Sequence, residues 1–152
     1  EAIGYDDSLN RAFYKALQAG GTRVANYGTL FVTIADKDKA DALPLIRRFY
    51  DLGFNIEATP GTASYLKENG IRSRSKKKIS TGSEEILDTL RSGHVTYVLN
   101  TLGDAEANGD DGFRIRRVAT ENGITVFTSL DTVKVLLDVL EEITFQVSTI
   151  DA

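Results

Sequence analysis

The residues whose types and spacing suit a chemical role form three short polar segments, and the most informative is Thr59-Pro60-Gly61-Thr62. A glycine at a strand-to-helix turn lets the backbone approach a ligand, and the first turn of the following helix carries unpaired N–H groups. With a threonine hydroxyl on each side of this turn, the segment is suited to bind a phosphate. The structural alternative is a helix cap, because a threonine at such a position also caps helices.

A run of cations is the second candidate, since five of the seven residues from 72 to 78 are basic. These are Arg72, Arg74, Lys76, Lys77 and Lys78. The alternative is a solvated sheet edge, where lysines discourage aggregation. Nucleic-acid binding is disfavoured because no aromatic residues interleave with the run and the whole chain has a net charge of −4. Within the run we favour Lys78, which closes the segment on the side where a ligand is expected.

Asn100 is the third candidate, because its amide ends an apolar run and can contact a base or a sugar. An asparagine at this position can equally cap the following loop. His94, the single histidine, precedes the same run and is expected at the opposite end of the sheet. With one histidine and no cysteine, the sequence has no grouping typical of a hydrolytic triad or a metal centre. We therefore predict no catalytic residue and no metal site.

The elements that would position these residues alternate between apolar, β-branched runs and helical patterns. Strands are predicted at 29–34, 54–59, within 71–79, and at 95–99 and 124–128. Helices are predicted at 38–52, 62–69, 84–91, 113–121 and 130–140, with an acidic loop at 103–112. Such alternation predicts an α/β fold, a three-layer Rossmann-like domain with a five-stranded parallel sheet flanked by helices. Ligands of such sheets bind at the carboxyl ends of the strands, where all three candidates lie.

Composition bounds the class of protein. The chain has 152 residues, of which 41% are apolar and 26% charged, as in an ordinary soluble domain. No apolar run approaches the ~20 residues that cross a bilayer, so we expect no membrane association. The absence of cysteine fits a reducing, cytoplasmic environment. Because methionine is also absent, we expect a piece of a longer protein, divided into a lead-in with a short helix at 1–27, a domain at 28–141 and a tail at 142–152.

The order of several segments resembles a known family. In sequence order they are GTLFVTIADKDKADALPLIRRFYDLGFNIEATPGTASYLKENGI, KKISTG, YVLNTLG and DGFRIRRVATENGITVFTSLDT. Together they resemble the methylglyoxal-synthase-like domain, in particular the version at the C-terminus of carbamoyl-phosphate synthase large chains. The resemblance covers residues 28–140, and YKALQAGG in the lead-in is similar to the segment that joins this domain to the synthetase half.

This resemblance implies a five-stranded parallel fold and an allosteric role without catalysis, in which a phosphorylated effector such as UMP, IMP or PRPP binds. The implied effector contacts fall on Lys39, Thr59, Gly61, Thr62, Lys78, Asn100 and Thr101. The implied partners are the synthetase domains of the same large chain and, through the parent enzyme, the small glutaminase subunit. No cofactor is implied for the domain, whereas the parent ligase would use ATP with Mg or Mn in pyrimidine and arginine biosynthesis.

The sequence departs from the family pattern after Asn100. Relatives carry two threonines and soon an arginine pair there, whereas this chain has Leu102, Asp104 and Glu106. Carboxylates near a phosphate oppose its binding, so these residues bear on the choice of effector. One alternative to an effector-binding domain is an interaction domain that binds no small ligand.

An enzyme of the same family, methylglyoxal synthase, is the rival reading of the resemblance. It places a His-Asp pair where this chain has Ala35-Asp36, and an aspartate where this chain has Thr101. One of these three proton-transfer groups is kept. Since the loss of a positioned base typically costs ~10²–10⁴ in rate, we disfavour this activity.

Overall fold

The computed structural model describes residues 25–79, 83–101 and 105–151, with the side chains of 105–110 and 145–151 excepted. Its strands are β1 (Thr29–Thr33), β2 (Asn55–Ala58), β3 (Arg74–Ser75), β4 (Val95–Asn100) and β5 (Thr125–Phe127). Its helices are α1 (Lys39–Asp51), α2 (Pro60–Glu68), α3 (Glu85–Arg91), α4 (Ala105–Glu121) and α5 (Leu130–Asp151), and a 3-10 turn at Asp36–Asp38 precedes α1.

The five strands form one parallel sheet in the order β3-β2-β1-β4-β5. This confirms the predicted α/β class and places β1 at the centre of the sheet. Four of the five residues of β1 are buried, because helices cover both of its faces. The carboxyl ends of β2, β1 and β4 therefore lie side by side.

Side chains that alternate along the strands feed two separate cores. Leu30 and Val32 join one core with residues of α1, α2 and α5, whereas Phe31 joins the other with residues of α3 and α4. In the first core, the aromatic ring of Tyr97 packs against Phe49 and Phe54 with centroids 6.3 and 6.0 Å away. The two cores on opposite faces give the three-layer arrangement that the sequence predicted.

A bulge interrupts the pairing of β1 with β4 at its first residues. Thr29 pairs with Val95 and Leu30 pairs with Tyr97, so Thr96 is the additional residue in β4. The Thr96 hydroxyl accepts a hydrogen bond from the Thr29 N–H group at 3.2 Å. It also fills the place of a side chain at Gly28, where a Cβ atom would lie 1.9 Å from Thr96 Oγ1. Glycine is therefore required on steric grounds as well as by its φ of 125°.

Two helices are longer than the sequence indicated. The predicted loop at 103–112 is wrong from Ala105 onward, because α4 begins there. Gly112, a residue typical of a loop, is buried inside this helix. A Cβ at this position would lie 3.0 Å from Arg116 Nη1 and 3.5 Å from Asn100 Oδ1, so glycine lets these side chains meet.

The last helix continues past the predicted end at residue 140, to Asp151. The Thr144 hydroxyl donates to the Leu140 carbonyl oxygen at 2.9 Å, which accommodates a polar β-branched residue within the helix. The division of the chain at 28 and 141 stays a prediction, and the short helix predicted in the lead-in lies outside the described residues. Among the described residues, no helix combines the length and apolarity that crossing a membrane requires.

Candidate functional site

The centre of the candidate site is the end of β1, where two consecutive backbone amides donate hydrogen bonds to threonines that follow the neighbouring strands. The Ile34 N–H group donates to Thr62 Oγ1 at 3.2 Å, and the Ala35 N–H group donates to Thr101 Oγ1 at 2.8 Å. Thr62 belongs to α2, which follows β2, and Thr101 follows β4. These bonds hold the three strand ends together, so the predicted site residues converge although they are distant in sequence.

The turn from β2 into α2 forms one side of the site. Thr59 is the N-cap residue, yet its side chain makes no capping hydrogen bond to the first turn of this helix. The Thr62 hydroxyl, which the capping alternative required, instead meets Ile34 and lies 3.3 Å from Thr59 Oγ1. Both hydroxyl groups are buried, and Gly61 presents only backbone to solvent. The first turn of α2 therefore retains donors for an anion.

Lys39, the first residue of α1, reaches across to this turn. Its Nζ atom lies 3.6 Å from the position that a Cβ on Gly61 would occupy. The same atom donates to Asp36 Oδ1 at 2.6 Å, and the Lys39 side chain is only 17% exposed. An ammonium group held above a glycine turn and a helix N-terminus matches the chemistry that binds a phosphate.

The pKa of Asp36 depends on the positive charges near Lys39. The hydrogen bond from Lys39 lowers the pKa of the exposed Asp36 carboxyl group, the charge of Lys39 lowers it further, and slight desolvation opposes them. The positive charge of Lys78 adds to the lowering. Lys78 therefore acts on the same region of the molecule as Lys39, although it follows the distant edge strand β3.

Asn100 and Thr101 form the other side of the site. Asn100 is 4% exposed, and its Oδ1 atom accepts a hydrogen bond from Arg116 Nη1 at 2.7 Å. Arg116, in α4, therefore orients the amide of Asn100.

A cavity of about 300 Å³ adjoins Thr101 at the ends of β4 and β5. It is lined by Asp38, Thr101, Thr128, Ser129, Leu130 and Asp131. Its hydroxyl and carboxylate groups suit hydrogen-bond donors of a ligand rather than a second anion. Leu102 and Asp104 lie outside the described residues, and the Glu106 side chain is likewise not described.

The structure thus brings Lys39, Thr59, Gly61 and Thr62 into one cradle, with Thr101 joined to it through β1. Two residues had no role assigned from the sequence, namely Arg116 and Glu57, a buried carboxylate of β2 that contacts Lys76 and His94. His94 precedes β4, as expected, and is exposed, although its ring contacts Glu57. Among the described residues, no group of three or more acidic or histidine side chains is arranged to hold a metal ion.

Comparison with protein families identifies the domain. The model of the MGS-like domain matches residues 41–128, which is 88 of the 152 residues. Lys39 lies two positions ahead of the matched region. The other six candidate residues lie within it, namely Thr59, Gly61, Thr62, Lys78, Asn100 and Thr101.

Proposed function

Because this chain belongs to the MGS-like domain family, we propose that it is a regulatory domain that binds a phosphorylated nucleotide and catalyses no reaction itself. The observation that carries the proposal is the cradle, in which Lys39 Nζ stands above Gly61 beside two buried threonine hydroxyls. A phosphate there would receive backbone, hydroxyl and ammonium donors together. Lys78 would add a second positive charge, and Asn100 with Thr101 would contact the sugar or base.

The sequence resembles the C-terminal region of carbamoyl-phosphate synthase large chains in particular. We infer that this chain is the C-terminal regulatory domain of a cytoplasmic carbamoyl-phosphate synthase large chain, with UMP, IMP or PRPP as effector. The parent ligase would use ATP with Mg or Mn and ammonia from a small glutaminase subunit, supplying pyrimidine and arginine biosynthesis. An effector that prefers one arrangement of the whole enzyme shifts its equilibrium by that difference in affinity, typically ~1–3 kcal/mol.

The enzymatic alternative within the family is methylglyoxal synthase. Ala35 carries no proton-transfer group, and the Thr101 hydroxyl, which accepts a hydrogen bond from the Ala35 N–H group, is not the carboxylate base that the reaction requires. The carboxylate that is kept, Asp36, is paired with Lys39, which disfavours its use as a base. Formation of methylglyoxal from dihydroxyacetone phosphate by the purified chain would replace our proposal with this alternative.

The direct test is calorimetric titration of the chain with UMP, IMP and PRPP. We expect at least one of them to bind with a measurable heat and a stoichiometry of one per chain. If none of them binds at millimolar concentration, the effector proposal is wrong. Tight docking to the synthetase domains without any small ligand would then favour the interaction-domain alternative.

Exchange of the two lysines tests the cradle itself. Lys39→Ala and Lys78→Ala should each weaken nucleotide binding at least about tenfold, since a hydrogen bond to a charged group contributes ~1.5–3 kcal/mol. Lys37→Ala is the matched control, because Lys37 is an exposed residue of the 3-10 turn that precedes Lys39 and carries the same charge. Equal losses in all three variants would indicate general electrostatic attraction rather than a defined site.

A further inference from the structure

Glu57 is an acidic residue within β2, the strand between the edge strand β3 and the central strand β1. It lies in β2 between Ile56 and Ala58, which face the first core, so its side chain points to the face that α3 and α4 cover. The residue is 4% exposed. Since a buried carboxylate without partners is strongly unfavourable, its contacts must offset the loss of water.

Two side chains supply those contacts. His94 Nε2 lies 2.7 Å from Glu57 Oε2, and the Ser92 hydroxyl meets the other ring nitrogen of His94. Lys76 Nζ lies 3.2 Å from Glu57 Oε1. Oε1 has no hydrogen-bond donor in favourable geometry among the described residues, so the charge of Lys76 is what offsets its burial.

Further contacts of Lys76 and Lys77 hold the segment that carries Lys78. The Lys76 N–H group donates to the Ala58 carbonyl oxygen at 2.7 Å, and the Lys76 side chain is 13% exposed. Glu85, at the start of α3, lies 3.9 Å from Lys76 Nζ and accepts a 3.4 Å hydrogen bond from the Lys77 N–H group. The backbone is thus held at two successive residues immediately before Lys78.

We propose that Glu57 is a positioning residue for effector binding, acting through its buried ion pair with Lys76 to hold the segment that presents Lys78 to the ligand. This inference rests on the proposed function. Two of the three consecutive lysines thus have different roles. Lys76 pairs with Glu57 and anchors the segment, whereas Lys78 contacts the ligand. An ordered backbone at Lys76 and Lys77 reduces the conformational entropy that Lys78 loses when it contacts a phosphate.

The test is Glu57→Gln, because positioning and general electrostatics predict opposite results. Removal of a negative charge near the site would by itself strengthen the binding of an anion. Positioning instead predicts that UMP and inorganic phosphate bind about fivefold more weakly. Glu84→Gln is the matched control, since Glu84 is exposed, adjoins α3 and undergoes the same change of charge. Unchanged or tighter binding by Glu57→Gln would overturn the inference.

A double-mutant cycle separates positioning from a merely structural effect. In the Lys78→Ala background, Glu57→Gln should cause no further loss of affinity, whereas in the Lys39→Ala background its loss should be added in full. If Glu57→Gln weakens binding equally in both backgrounds, it acts on the site as a whole and not through Lys78.

A measurement without ligand keeps this inference separate from the proposed function. Hydrogen exchange of the amides of residues 74–79 should be at least about fivefold faster in Glu57→Gln than in the native protein or in Glu84→Gln. If no nucleotide binds the native protein, the proposed function fails while this measurement still decides whether Glu57 holds the segment. Unchanged exchange would refute the anchor. If Glu57→Gln does not fold, the double variant Glu57→Gln with Lys76→Met removes the same ion pair without leaving a buried charge unpaired, and it takes the place of Glu57→Gln in the exchange measurement.

Discussion

The hydroxyl groups of the candidate site each have a structural partner before any ligand arrives. Thr62 Oγ1 accepts from the Ile34 N–H group, and Thr101 Oγ1 accepts from the Ala35 N–H group. A hydroxyl that accepts a hydrogen bond keeps its own proton for donation. Thr62 and Thr101 can therefore hold the strand ends together and donate to a ligand at the same time, so the proposed binding would require little rearrangement of these side chains.

Among the glycines that the structure describes, Gly28 is the one at which we expect the largest loss of stability from adding one methyl group. Gly28→Ala would place Cβ 1.9 Å from Thr96 Oγ1 and impose a left-handed conformation on alanine. We expect a loss of about 3 kcal/mol or more in the free energy of unfolding, measured by urea denaturation.

The matched control is Gly53→Ala, which has a similar φ of 97° but no atom within 4 Å of the added Cβ. It should lose only the ~1–2 kcal/mol of backbone strain. Combining Gly28→Ala with Thr96→Ala should recover part of the difference, because Oγ1 is then absent. Equal losses in the two single variants would contradict the steric explanation.

At this scale the sequence identified the types of the site residues but not their contacts. Thr59, Gly61 and Thr62 were candidates because a glycine between hydroxyl residues at a strand-to-helix turn suits a phosphate, although such a turn can also serve only as a helix cap. Glu57 was not, because a lone carboxylate within a strand looks like a solvent-facing residue until its neighbours are known. Its partners, Lys76 and His94, are 19 and 37 residues away in sequence.

At the scale of the secondary-structure elements, β4 is also joined to the segment that precedes β1. The Tyr97 hydroxyl accepts from the Ala25 N–H group at 2.8 Å and donates to the Ala25 carbonyl oxygen at 2.7 Å. The ring itself packs in the first core and is 1% exposed. A single side chain thus fixes the entry of the chain into β1.

Tyr97→Phe should lower the free energy of unfolding by about 1–2 kcal/mol, because it removes two hydrogen bonds and keeps the packing of the ring. Tyr65→Phe, at a half-buried tyrosine of α2, is the control and should be nearly neutral. Chemical denaturation at neutral pH measures both, and a neutral Tyr97→Phe would show that water replaces these bonds without loss.

The pH dependence of the same variant follows from the raised pKa of Tyr97, which burial causes and which the hydrogen bond to Ala25 partly offsets. The folded state keeps the phenol proton while the unfolded state loses it above the ordinary pKa of 10.0. The native protein should therefore lose stability as pH rises above that value, and the advantage of tyrosine over phenylalanine should shrink. An advantage that grows with alkaline pH would contradict the burial of this group.

Strands and most helices were predictable because apolar periodicity and glycine stops agreed. The start of α4 was not, since Gly109, Gly112 and the neighbouring aspartates have the composition of a loop. Tertiary contacts decide there, because Gly112 lets Asn100 and Arg116 approach each other. The continuation of α5 was missed because Ile143 and Thr144 are typical of strands as well.

In the molecule as a whole, α1 and α5 pack on the same face of the sheet and are joined by Arg48. Its guanidinium group donates to Asp138 Oδ1 at 2.8 Å and to both carboxylate oxygens of Glu141. These hydrogen bonds, with Glu141 as the main partner, raise the pKa of Arg48 against the effect of burial. The three residues link a helix that begins at the candidate site with the last helix of the chain.

Arg48→Met, which keeps most of the apolar length of the side chain, should cost about 1 kcal/mol of stability at low salt and less at 1 M salt. Arg117→Met is the control, because its pair with Glu121 lies within one helix and both side chains are more than half exposed. Thermal unfolding at both salt concentrations measures the difference, and an effect of Arg48→Met that does not depend on salt would assign the loss to packing.

The order of the sheet gives one further consequence for the molecule. β1 is the central strand, and its end is bound to a threonine on each side through consecutive peptide groups, those of Ile34 and Ala35. A single dipeptide thus joins the two sides of the site that are proposed for the phosphate and for the sugar or base. Its rigid peptide geometry fixes the spacing of the two hydroxyl groups, so the distance between the two parts of a ligand is set by the central strand.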